Sequence, residues 1–153
     1  MGTATKTLYD TDFAEWCART ADLVRAGRFD EVDLEHVAEE IEDMGKRDRR
    51  AATNRTRVLL MHLLKWAAQP EKRSPSWEAT ITEQRRRLNA IFEDSGSIRA
   101  FVQENLAGIY REAAKDALRE MGRSQGLPVR CPWTAENILD TDFLPDPLSL
   151  TQK

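Results

Sequence analysis

The feature that most constrains this chain is an apolar repeat of helical period that runs from Leu34 to Trp66 with Asp33 in front of it and Pro70 behind it. Leu34, Val37, Ile41 and Met44 mark its first part, and the same phase continues through Asp48, Ala52, Arg55, Leu59, Leu63 and Trp66. Asp33 is the capping residue expected at the start, and Pro70 lacks the N–H that another turn would need. An unbroken helix to Gln69 would be about 55 Å long. A compact domain of this size has a radius of gyration of only about 15 Å. A kink or break at Gly45 is therefore expected. Asp48 and Arg55 fall on an otherwise apolar face, where each would need a partner.

The rest of the chain is helical in the same sense, and no stretch alternates apolar and polar residues as a strand would. A first amphipathic helix is expected from Asp10, its cap, to Gly27, with Phe13, Trp16, Thr20, Leu23 and Val24 inside. Another begins at Ser74 and Pro75 and buries Trp77, Ile81, Gln84, Leu88, Ile91 and Phe92. A fifth is expected from Ile98 to Met121, stopped by Gly122. Beyond Arg123 the residues become those of turns, with one short helix after Thr134. The expected fold is all-α: a single-domain bundle of five main helices, residues 9–145, with an irregular C-terminal segment and flexible ends at 1–8 and 146–153. At 153 residues, roughly 70% of the unfolded surface can be buried, enough for a core without staples.

Charge is balanced in total and segregated in detail. The net charge is -3, which by itself argues for no polyanionic partner. Asp30 to Asp43 nevertheless hold eight acidic side chains and no Lys or Arg, whereas Lys46 to Arg57 hold six basic ones against Asp48. The basic segment is the best argument for nucleic acid, with Arg47, Arg50 and Arg57 sharing a face. The acidic block just upstream would repel phosphate or pair with those arginines. Arg85, Arg86 and Arg87 are successive and point about 100° apart, so they make no patch.

Catalytic signatures are sparse. His62 sits in the most apolar run, with Val58, Leu59, Lys65 and Trp66 one turn away and no acid among them. A bond from its ring to a backbone carbonyl, or to an acid of a neighbouring helix such as Glu40, is the structural expectation. If it acts chemically, Glu40 or Asp48 would orient it, and Arg55, Lys65, Gln69, Arg73 and Gln84 are the candidates to hold a ligand. His36 has Glu39 and Glu40 one turn on, but it lies off the apolar stripe and is expected to face water. No metal site and no cofactor are expected, because His62 has no second ligand at helical spacing, the pair at His36 lies on a surface face, and phosphate-binding loops are missing. Cys17 and Cys131 fit no paired-cysteine motif and read as idle thiols. The N-terminal residues show no signal-peptide pattern and no apolar run reaches membrane-spanning length, so a cytoplasmic protein without a membrane partner is expected.

The words "YDTDFAEW", "GRFDEVDLEHVAEEIEDMGKRDRR", "VLLMHLLKWAAQPEKRSPSWEATITEQRRRL" and "CPWTAENILDTDFLP" occur in this order from Leu8 to Pro145. Together they resemble a bacterial family, domain of unknown function number twenty-nine. The resemblance implies a small all-helical intracellular protein with no established activity. Glu39, Glu40, Glu42, Met44 and Gly45 match its acidic word. Arg57 to Trp66, Gln69, Pro70 and Ser74 to Arg85 match the words that follow. His62, Lys65, Arg73, Trp77 and Gln84 stand on matching positions, and His36 does not stand on a characteristic one. The family carries no catalytic residues over. The functional expectation is a non-enzymatic interaction or regulatory module that holds a protein partner or a second copy of itself. A ligand-binding or catalytic pocket around His62 is the alternative, and nucleic-acid binding through Lys46 to Arg57 is a further one.

Overall fold

The computed structural model describes residues 8–150. Of the ends expected to be flexible, 1–8 and 146–153, residues 1–7 and 151–153 lie outside the described residues. The fold is all-α, and among the described residues there is no strand. After a helical stretch at 8–11 come α1 (Phe13–Arg25), α2 (Leu34–Ala68), α3 (Pro75–Asp94), α4 (Gly96–Glu104), α5 (Leu106–Glu120) and the short α6 (Ala135–Leu139). Single turns of tighter helix at Phe29–Glu31 and Pro70–Lys72 flank α2. No helix among the described residues is long and apolar enough to cross a membrane.

Contacts group the chain into two compact units, residues 1–47 and 48–153. The main departure from expectation is that helix α2 is continuous through Gly45 rather than broken there. Gly45 is exposed, and a Cβ built on it would meet nothing within 4 Å. The helix carries the entropic cost of that glycine without a packing reason for it.

In the second unit the core gathers around the C-terminal half of α2. Leu59, Leu60, Leu63 and Leu64 are fully buried, with Ala52 and Ala67 beside them. They share one cluster with Ile81 and Leu88 of α3, Val102 of α4, Tyr110, Ala113 and Ala117 of α5, and Ile138 of α6. A fully buried Leu contributes roughly 2 kcal/mol, so these four adjacent leucines are a large part of what holds the unit together.

The helix ends follow the sequence closely, with two shifts. Ser74, Ser95 and Thr134 cap α3, α4 and α6 through their hydroxyls, and Gly27 and Gly122 take the positive φ that ends α1 and α5. The cap of α1 is Asp12 rather than Asp10, since its carboxylate accepts from the Glu15 amide at 3.1 Å. The expected helix from Ile98 to Met121 is two helices, divided at Asn105. Its side-chain amide donates to the Phe101 carbonyl at 2.7 Å, a local bond that competes with the helical ladder.

The tail is partly docked. The Leu148 amide, in the stretch expected to fray, donates to the Ala67 carbonyl at 2.8 Å, and its side chain packs against the core. Ala67 lies in the last turn of α2, where carbonyls lack a partner within the helix.

Arg85 is the unexpected core residue, only 1% exposed. It occupies the stripe between Ile81 and Leu88, and its guanidinium donates to the carbonyls of Ile138 (2.8 Å) and Asn137 (3.4 Å) at the end of α6. Burial lowers its pKa, while the Asp140 carboxylate opposes that shift. The stem fills core volume and the head ties α6 down.

Two outcomes follow for stability. Gly45→Ala raises the unfolding free energy by about 0.5–1 kcal/mol in urea titration, since a helical position with open space gains only from the loss of glycine's freedom. Arg85→Met keeps most of the volume but loses charge-assisted bonds to buried carbonyls. It lowers stability by about 2 kcal/mol and speeds amide exchange from Ile138 to Leu148 more than in the α2–α3 core.

Candidate functional site

The densest arrangement of chemically distinctive side chains lies in the first unit. Asp12 leaves helical geometry at φ -148°, and its own amide still bonds to the Leu8 carbonyl at 2.8 Å. This jog between the 8–11 stretch and α1 sets Tyr9 against Phe13 and Trp16, with ring centroids 5.8 and 4.9 Å away in edge-on geometry. Such aromatic pairs contribute about 1 kcal/mol each beyond the area they bury. The Tyr9 ring also stacks on His36 at 3.8 Å, and its hydroxyl donates to Glu40 Oε1 at 2.6 Å. His36 and Glu40 are four residues apart on α2, so one tyrosine spans both.

His36 Nδ1 lies 2.5 Å from Asp33 Oδ2, and Asp33 is buried. The Asp33 carboxylate also accepts the His36 amide at 3.4 Å as the cap of α2. His36 is thus part-buried and held by the residue three positions before it, not turned to water with Glu39 and Glu40 as its partners. The hydrogen bond to Asp33 raises the His36 pKa above its ordinary value near 6.5, against the opposing effect of desolvation. Glu40 raises the Tyr9 hydroxyl to about 12, mainly by accepting its hydrogen bond. Arg47 Nη2 approaches Glu40 from two turns further along α2, at 3.9 Å.

Beside this cluster runs a groove of about 350 Å³ between α1 and the first turns of α2. Trp16, Cys17, Thr20, Ala21 and Val24 form one wall and Val37, Glu40 and Ile41 the other, with Arg25 at the end. Trp16 Nε1 and Thr20 Oγ1 are buried without a hydrogen-bond partner among the described residues. The residues taken from the sequence as an inner stripe behave differently from expectation. Leu34, Ile41 and Met44 are 64%, 59% and 53% exposed, so this stripe is a surface.

The remaining candidates separate. Glu40 is bonded to Tyr9, and Asp48 is exposed and needs no buried partner. In the second unit, His62 Nδ1 lies 2.9 Å from the Val58 carbonyl of its own helix, and the ring is part-buried. Arg55 donates to Gln84 at 3.2 Å, which joins two of the ligand candidates to each other. Lys65 is buried, paired with Glu120 and 4.5 Å from the Trp77 ring centre. Arg73 lies 4.8 Å over Trp66 and donates from Nε to the Trp66 carbonyl at 2.9 Å, closing the end of α2. Gln69 lies where α2 ends, its amide still bonded to the Lys65 carbonyl.

The basic segment is also partly committed. Arg57 makes a two-bond fork with Asp116 of α5 and holds that carboxyl below its usual range, and Arg49 sits 5.7 Å over Phe101. Only Arg47 of this segment pairs with the acidic block upstream. Cys17 and Cys131 are free thiols. Among the described residues, no three His, Cys, Asp or Glu side chains are grouped so as to hold a metal ion. Sequence reasoning named Asp33 only as a helix cap and passed over Tyr9. The available signal was the helical spacing of Tyr9, Phe13 and Trp16 across the cap at Asp12.

The raised His36 pKa has a definite sign. A histidine whose pKa is higher in the folded chain adds stability below its unfolded value, and that contribution disappears as the pH rises through the folded value. The His36 ring resonances are expected to titrate with a midpoint above 6.5. Asp33→Asn, which keeps a competent cap, brings the midpoint down. An unchanged midpoint in Asp33→Asn would remove the carboxylate as the cause.

Neither a curated protein nor a solved structure matches this chain. A family model does, over residues 8–144, which takes in the aromatic cluster, the groove and the leucine core. The chain therefore belongs to the family described as Domain of unknown function DUF29.

Proposed function

We propose that this protein is a non-enzymatic interaction module that holds a protein partner in the groove between α1 and the start of α2. The observation that carries this reading is the apolar stripe of α2, which has helical spacing and is nonetheless more than half exposed at Leu34, Ile41 and Met44. An exposed contiguous apolar strip rimmed by charge is the mark of an association surface. The groove adds shape, since two helices side by side leave a channel that a third can fill.

The candidates of the second unit fit this reading as structure. Arg73 closes a helix end through Nε while its Nη2 is buried without a partner among the described residues, Lys65 pairs with Glu120, and Arg55 donates to Gln84.

The test compares what co-purifies with the tagged protein from its own host at moderate salt, for wild type and for the double variant Val24→Glu, Ile41→Glu. Both side chains are about half exposed, so the helical circular dichroism and melting temperature should hold. A stoichiometric protein partner present with wild type and absent with the variant is the expected result. Identical co-purification from both would overturn the proposal.

A further inference from the structure

The first unit carries twelve acidic and six basic side chains, a net of -6, whereas residues 48–153 carry fourteen and seventeen, a net of +3. The groove therefore lies in the acidic unit of a chain whose overall charge is almost balanced. Its two walls repeat at helical spacing, Trp16, Thr20 and Val24 on α1 and Val37 and Ile41 on α2. Eight residues of helix rise about 12 Å, which is the length of two turns of an occupant lying along it. The lips are apolar and open, with Val24 46% exposed opposite Ile41.

Resting on the docking function proposed above, we infer that the occupant of this groove is a basic amphipathic helix of another protein. Its apolar side chains seat between Val24 and Ile41, and its Lys and Arg side chains meet the field of the acidic unit. Two features select this occupant. The net charge of -6 opposes a second copy of the same unit and favours a cationic partner. The apolar walls exclude a purely electrostatic ligand such as a polyamine.

The probe is a synthetic peptide of about eighteen residues, long enough to be helical once bound, with Leu at i, i+3, i+4 and i+7 spacing and Lys elsewhere. A second peptide keeps the Leu face and carries Glu in place of Lys. Binding to the full chain is read by anisotropy of a labelled peptide, with sedimentation of the unliganded chain in parallel. Wild type should bind the Lys peptide, more weakly as salt is raised, and should not bind the Glu peptide. Ile41→Glu and, separately, Val24→Glu should weaken the Lys peptide at least about tenfold by placing a carboxylate against its apolar face. The sign of that change is decisive. Each substitution makes the unit more acidic, so non-specific attraction would strengthen where groove docking is lost.

Unchanged or tighter binding to both variants overturns the inference and the docking reading together. Equal binding of Lys and Glu peptides, both lost in Ile41→Glu, overturns the basic partner and leaves the groove standing. A concentration-dependent dimer of the unliganded chain that disappears in Ile41→Glu makes the occupant a second copy, with the same consequence.

Discussion

The second unit depends on four consecutive-turn leucines of α2, Leu59, Leu60, Leu63 and Leu64, all removed from water. A helix buried over so wide a face must be central, and every other helix of that unit contributes to the cluster around it. The consequence appears at the chain ends. A central helix has its terminal carbonyls deep in the structure, where water cannot satisfy them and the missing bonds must come from elsewhere in the chain.

Long-range donors supply those bonds. The Arg73 guanidinium takes the Trp66 carbonyl, and the Leu148 amide takes that of Ala67. At the end of α6, Arg85 and the Asn89 side chain take the carbonyls of Ile138 and Leu139. Tyr110 donates to the Pro128 carbonyl at 2.6 Å, and burial raises that hydroxyl to about 12. Arg73, Arg85 and Asn89 thus serve as closures of helix ends. Of the other cationic side chains that looked like ligand contacts, Lys65 pairs with Glu120 and Arg55 donates to Gln84.

What the sequence made legible was decided by local rules. Caps at Ser74 and Thr134, stops at Gly27 and Gly122, and the leucine face all follow from spacing and backbone chemistry, and the structure shows each of them. The continuity of α2 through Gly45 was not legible, because the argument for a break assumed one compact body, and the chain groups into two units. Arg85 was hidden by its charge, although its position in the stripe from Ile81 to Leu88 was plain. The Tyr9 cluster was hidden by distance, since a bond from Tyr9 to Glu40 spans 31 positions of sequence.

The most instructive difference lies in one repeat with two outcomes. Leu59 and Leu63 continue the phase set by Leu34, Ile41 and Met44, yet the first pair is fully buried and the other three stand in water. Periodicity states which side chains share a face and is silent on whether anything covers it. The uncovered half of the repeat costs solubility without adding to the core, and it meets the groove at Val37 and Ile41. On the reading proposed above, the apolar stripe that the fold itself leaves open is one half of an interface whose other half a different molecule carries.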